Sequence, residues 1–306
     1  MEGFHERPVW LVLLYITLSA GVGVVLGTGI GALLGSIIYQ GEGDFFQAMQ
    51  TLPGENLNTP MLVMQGVTSL FGFLIFPFLT LKSLRRNSMN YFNSQPFFIL
   101  SIPLVLGLIL SFTVADSAVI EWNQNIHFPD FLKSFENWAR AKEDELAMVT
   151  KMFTQFHSVG EFITAFIVVG VVAGISEEFL FRGIIQNEFY KGTNNIHLAI
   201  WTSAFLFSLI HIQFFGFVPR MLLGALFGYL YYWSGNLLVP MLAHFVNNGF
   251  SVLMLYLNQK GVVDVDIEST EAAPWPAVII FTLIGGAMLY YFKNFYDQKR
   301  VLSHGQ

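Results

Sequence analysis

Three short runs place ionisable and amide side chains inside long apolar stretches. They are Ser176-Glu177-Glu178-Phe179-Leu180-Phe181-Arg182, Phe207-Ser208-Leu209-Ile210-His211 and His244-Phe245-Val246-Asn247-Asn248. An ionisable side chain costs about 2.5–3.5 kcal/mol at the centre of a membrane helix and so needs a reason to be there. Glu178 and Arg182 stand at i and i+4 with the acid first, the favoured order for a helical ion pair. Glu177 points about 100° away around the same helix, so that one arginine need compensate only Glu178. His244 and Asn248 are again at i and i+4 and share a face.

A glutamate and a histidine at one depth can hold a water between them, the carboxylate serving first as base and then as acid. A second histidine with an asparagine one turn away offers donors to the oxyanion formed when water attacks an amide. Glu177, His211, His244 and Asn248 therefore supply the parts of a peptide-bond hydrolase without a covalent nucleophile. The same residues leave a second chemistry open, in which Glu177, His211 and His244 ligate a divalent metal such as zinc and its water. Each group also has a structural reading: an ion pair can brace a helix, a histidine can pack, and an asparagine can bond a neighbouring helix. Glu177 is hardest to read that way, since one arginine cannot neutralise two adjacent glutamates.

The elements that must position these groups follow from composition. The chain has 306 residues, 54% hydrophobic and 12% charged, against about 25% charged in soluble domains. That apolar excess excludes a water-soluble fold, and a net charge of −6 with only 15 Lys+Arg excludes a nucleic-acid binder. Without cysteine there is no disulfide, thiolate zinc site or cysteine nucleophile. The expectation is an all-α, polytopic transmembrane helical bundle of about eight spans, near residues 9–39, 61–82, 96–114, 159–190, 197–214, 217–233, 237–257 and 275–295. About the turn near residue 194, Glu177 and His211 lie 17 residues to either side, which puts them at one depth in an antiparallel hairpin.

Residues 1–114 thus hold three spans, 159–257 the core that carries the chemistry, and 258–306 a last span with a basic tail. Segment 115–158, rich in Asp, Glu, Lys and aromatic residues, reads as an interfacial, partly amphipathic connection. Arg7, Lys82, Arg85, Arg86, Lys191 and the tail lysines fall on one side of such a bundle. Glu42, Asp44, Glu55, Asp264, Asp266, Glu268 and Glu271 fall on the other, which predicts cytoplasmic termini. Gly23, Gly27, Gly31 and Gly35 form a small-residue face, for a dimer or gate or for packing within the bundle.

The three motifs resemble the CPBP intramembrane proteases, which comprise type 2 CAAX prenyl endopeptidases and bacterial bacteriocin-processing and immunity (Abi) proteins. That family carries Glu-Glu-x-x-x-Arg, Phe-x-x-x-His and His-x-x-x-Asn on successive core helices, and all three stand in this order across roughly residues 160–255. The resemblance implies that Glu177 activates water with His211 as partner. It implies further that His244 and Asn248 form the oxyanion hole, while Glu178 and Arg182 brace the helix. The implied protein sits in a bacterial cell membrane, contacts membrane lipid and cleaves a peptide or lipidated, CAAX-like protein. Whether it works as a metalloprotease or a glutamate protease stays open. A rhomboid-type Gly-x-Ser-x-Gly is absent, because Gly174-Ile175-Ser176 runs into Glu177 and Glu178. The rival readings are a transporter relaying protons or cations through the same residues and a non-catalytic membrane scaffold.

Overall fold

In hydrocarbon every backbone N–H and C=O must be satisfied within the protein, and an apolar run can do so alone only as a helix. The computed structural model describes residues 8–51, 56–84, 89–264 and 269–304, and among these every regular element is helical. Arg7, Glu55, Arg85, Arg86, Asp266 and Glu268, which contribute to the charge asymmetry, lie outside the described residues.

The elements that matter for the site are α1 (Val9–Ile38), α2 (Asn58–Ser83), α3 (Ser101–Gln124), α4 (Lys133–Thr154), α5 (Val159–Thr193), α6 (Ile196–Leu209), α7 (Phe217–Ser234), α8 (Leu238–Gln259) and α9 (Trp275–His304). Six of them, α1, α2, α3, α5, α8 and α9, are long and apolar enough to cross a membrane, and the chain is an integral multi-pass protein. The all-α bundle of about eight spans is borne out as a polytopic helical bundle, with α6 and α7 not among these six. α6 is only 14 residues long, about 21 Å against a hydrocarbon core of about 30 Å. It stops at Leu209, and residues 210–216 turn the chain back into α7.

The third expected span, 96–114, is found at Ser101–Gln124. Pro103 sits in its first turn, where a missing N–H costs nothing, and the helix runs on past residue 114. Asp116 is consequently a buried helix residue, and only Lys133–Thr154 of the expected 115–158 connection forms the amphipathic helix.

The glycine face of α1 packs within the bundle, against α2. A Cβ on Gly31 would lie 2.8 Å from the Met64 backbone, and one on Gly27 would lie 2.9 Å from the Thr68 Cα. α3 packs on α9 and α6 on α7, while α5 packs on both α6 and α8, which brings the three motif-bearing helices together around α5. α4 lies over the 210–216 turn. Phe135 meets Phe214 edge-on at 4.8 Å, the Arg140 guanidinium caps the Phe215 ring at 4.1 Å, and the Phe215 amide donates to Glu143 Oε2.

Candidate active site

α5 is not a uniform helix. Its Ala173–Glu178 stretch lies between two π-helical segments, Phe166–Val172 and Phe179–Gln186. Such wide turns are frequent at functional sites, where they re-aim side chains and loosen the carbonyl ladder. Gly174 lets α8 approach closely, since a Cβ there would meet the Phe245 amide nitrogen at 3.2 Å. Glu177 and Glu178 are thereby brought beside His244.

The two glutamates have opposite environments. Glu178 is fully buried, and its Oε1 accepts from Arg182 Nη1 at 2.6 Å and from His244 Nδ1 at 2.8 Å. Arg182, also fully buried, donates through Nη2 to the Gly224 carbonyl and lies over the Phe207 ring at 4.6 Å. Glu177 accepts no hydrogen bond among the described residues, and its carboxylate faces a cavity of about 670 Å³. The basic group within ion-pair distance of it is His244, with Nε2 3.9 Å from Oε2.

The histidines are oriented by their other nitrogens. A carboxylate paired with arginine only accepts, so His244 Nδ1 carries the proton it shares with Glu178, leaving Nε2 toward Glu177. The imidazole stacks on Phe227 at 5.3 Å and meets the edge of Phe207, which fixes its plane. His211 Nδ1 donates to the Phe207 carbonyl at 2.8 Å, again leaving Nε2 free. Asn248 Nδ2 donates to the Val169 carbonyl in the first π-segment, and its Oδ1 accepts from Asn247.

All four expected site residues, Glu177, His211, His244 and Asn248, line the one cavity, while Glu178 and Arg182 stand behind it. His211 lies just beyond α6 rather than within a helix as expected. The next residue, Ile212, has φ +55, a left-handed conformation rare for a β-branched side chain, and it bends the chain where His211 is presented. Among the described residues no three imidazole or carboxylate groups converge closely enough to hold one metal ion.

Two walls of the cavity are absent from the motif pattern. Thr28 of α1 and Gln65, Thr68 and Ser69 of α2 close one side. Arg220, in the first turn of α7, closes another. The cost of burying a charge, applied to 217–233, singles out Arg220 as the cation inside that expected span. The α1 and α2 residues carry no comparable signal.

Residues 159–250 match the family model described as type II CAAX prenyl endopeptidase Rce1-like. Over 137 residues, 44% of this chain and 57% of the relative, the sequence is 28% identical to the uncharacterized protein YpbD of Bacillus subtilis. Over 100 residues, 31% of this chain and 40% of the relative, it is 32% identical to the membrane-embedded CAAX protease MroQ of Staphylococcus aureus. The matched stretch thus spans about half the length of these curated relatives. No solved structure matches the chain. The three complete motifs that converge on the cavity all lie inside this matched segment, so over residues 159–250 the chain is similar to the type II CAAX prenyl endopeptidases.

Proposed function

We propose that this protein is an intramembrane endopeptidase that hydrolyses a peptide bond in a membrane-associated or lipidated, CAAX-like substrate. The observation that carries the reading is the contrast between the glutamates: Glu178 Oε1 is held by Arg182 and His244, whereas Glu177 faces the cavity with no hydrogen-bond partner among the described residues.

In this mechanism a water bound between Glu177 and the free Nε2 of His211 gives its proton to the Glu177 carboxylate as its oxygen attacks the scissile carbonyl carbon. Asn248, through its second Nδ2 hydrogen, and His244, through an Nε2 that has taken a proton from solvent before the attack and keeps it through the cycle, donate to the oxyanion. The tetrahedral intermediate collapses with cleavage of the C–N bond, and Glu177 returns its proton to the leaving amine. Glu178 and Arg182 keep the helix and the His244 ring in place. No step is routed through a metal. The charge asymmetry between loops supports cytoplasmic termini, with the α5–α6 turn on the cytoplasmic side.

Cleavage in liposomes tests the proposal, with lipidated and unlipidated membrane peptides, wild type against Glu177→Gln at matched folding, each with and without chelator. Cleavage by wild type alone, insensitive to chelator, is the expected result. Equal cleavage by both proteins removes Glu177 from the mechanism, and loss on chelation transfers water activation to a metal.

A further inference from the structure

The cavity holding Glu177 has a neighbour of about 600 Å³ between α3, α4, α7 and α8, and Arg220, Leu223 and Asn247 line both. Arg220 is therefore part of the partition between them. Its guanidinium is incompletely used. Nη2 donates to the Gln213 side chain, while Nη1 is buried with no hydrogen-bond partner. Among the described residues no carboxylate lies within ion-pair distance. Glu143 and Glu177 reach it only through their fields, and Glu143 Oε2 takes the Phe215 amide instead. Arg182, the other buried arginine of the region, has both Nη1 and Nη2 engaged and only its Nε without a partner.

A buried guanidinium donor without an acceptor is costly, and an anion brought against it removes that cost. Resting on the hydrolase reading above, we propose that Arg220 seats the free α-carboxylate of the substrate's C-terminus, making it a specificity-determining residue. The Glu177 carboxylate repels that anion, so the peptide lies with its scissile bond at Glu177 and its terminus at the partition. Cleavage then falls close to the C-terminal end. A phospholipid phosphate offers similar chemistry, and the cavity walls, with Glu143, Gln124 and Ser251 beside Phe112, Phe250 and Met254, would admit either, so the experiment separates the two sources.

Two fluorescent lipopeptide libraries test this, identical except that every C-terminus is a free acid in one and a primary amide in the other. Binding is measured in the Glu177→Gln background, so that nothing is consumed, with Arg220 intact, Arg220→Gln and Arg220→Lys. With Arg220 intact the acid library should bind about tenfold or more tighter than the amide. The ratio should fall near one in Arg220→Gln and partly recover in Arg220→Lys. A ratio of one with Arg220 intact overturns the proposal, as does a preference that survives in Arg220→Gln. Should Arg220→Gln not fold, the ratio with Arg220 intact and its change in Arg220→Lys decide alone. Displacement of the acid library by equimolar phosphatidylglycerol reassigns the seat to a lipid phosphate and also overturns it. Cleavage of the same libraries by wild type reads the hydrolase proposal separately: binding preference without Glu177-dependent cleavage sinks that reading and leaves the carboxylate seat standing.

Discussion

Glu178 Oε1 and His244 Nδ1, 66 residues apart in sequence, are joined by a hydrogen bond of 2.8 Å. The oxygen also receives Arg182, so one buried atom ties α5 to itself and to α8. A carboxylate behind an imidazole fixes the tautomer and aims the far nitrogen, and here that nitrogen is aimed at Glu177. The adjacent glutamates thus divide the work: Glu178 positions the histidine, and Glu177 meets the cavity.

That division predicts opposite phenotypes for two conservative changes. Glu177→Gln should lower cleavage about 100- to 10,000-fold while leaving thermal stability at or above wild type, since no hydrogen bond to Glu177 is lost. Glu178→Gln strands the fully buried Arg182 and should cost up to about 3–5 kcal/mol of stability. Thermal unfolding in detergent together with turnover checks the pair; equal destabilisation by both would show that Glu177 is also structural.

Much of this arrangement was legible in the chain. The apolar runs announce the bundle, and the motif spacings place Glu178 with Arg182 and His244 with Asn248 on shared helix faces. The bond between Glu178 and His244 was not legible, because no local spacing encodes a contact between distant helices. The end of α6 was also hidden. The run Ile210-His211-Ile212-Gln213-Phe214-Phe215 stays largely apolar and meets no glycine until Gly216, while the turn is made by a left-handed isoleucine. The cost of a charge inside an expected span marks Arg220, but the partners of Arg220 and Asp116 on other helices are not encoded by any local spacing.

The glycine face of α1 yields a contrast within one helix. Gly31 lies against the Met64 backbone, whereas Gly29 has nothing within 4 Å of its would-be Cβ. Gly31→Ala should push α1 from α2 and destabilise by about 1–3 kcal/mol. Gly29→Ala should be neutral or slightly stabilising through helix propensity. Because Met64 also lines the cavity, Gly31→Ala should depress turnover as well. Thermal unfolding of the two variants side by side decides it, and equal effects would contradict the packing.

Glu136 on α4 gives a pH dependence outside the membrane-spanning helices. Burial pushes its carboxyl up, but hydrogen bonds from His127, the Phe128 amide, Arg140 and Lys133 outweigh that and hold its pKa at about 2, below its ordinary 4.5. A carboxyl depressed in the folded state binds fewer protons than in the unfolded chain, so its stabilisation is complete above the ordinary value and lost as pH falls toward 2. Since Arg140 bonds Glu136 and caps Phe215, protonation should loosen the turn carrying His211. Stability should therefore fall between about pH 4.5 and 2. Glu136→Gln should be less stable at neutral pH and flatter over that window. Unfolding temperatures across the range check this, and parallel curves for the two proteins would refute it.

Ile212 stores strain beside the site. Its φ of +55 crowds a β-branched side chain against its own backbone, a cost of order 1–3 kcal/mol for a non-glycine residue held there. The side chain is 53% exposed, so little packing is lost by replacing it. Asparagine tolerates the left-handed region far better than isoleucine. Ile212→Asn should accordingly raise stability by about 1 kcal/mol and leave His211 on the Phe207 carbonyl. Thermal unfolding measures the gain, and retained Glu177-dependent cleavage shows that the turn has kept its path. A loss of stability would mean instead that the isoleucine side chain, and not the surrounding turn, anchors the chain at this point.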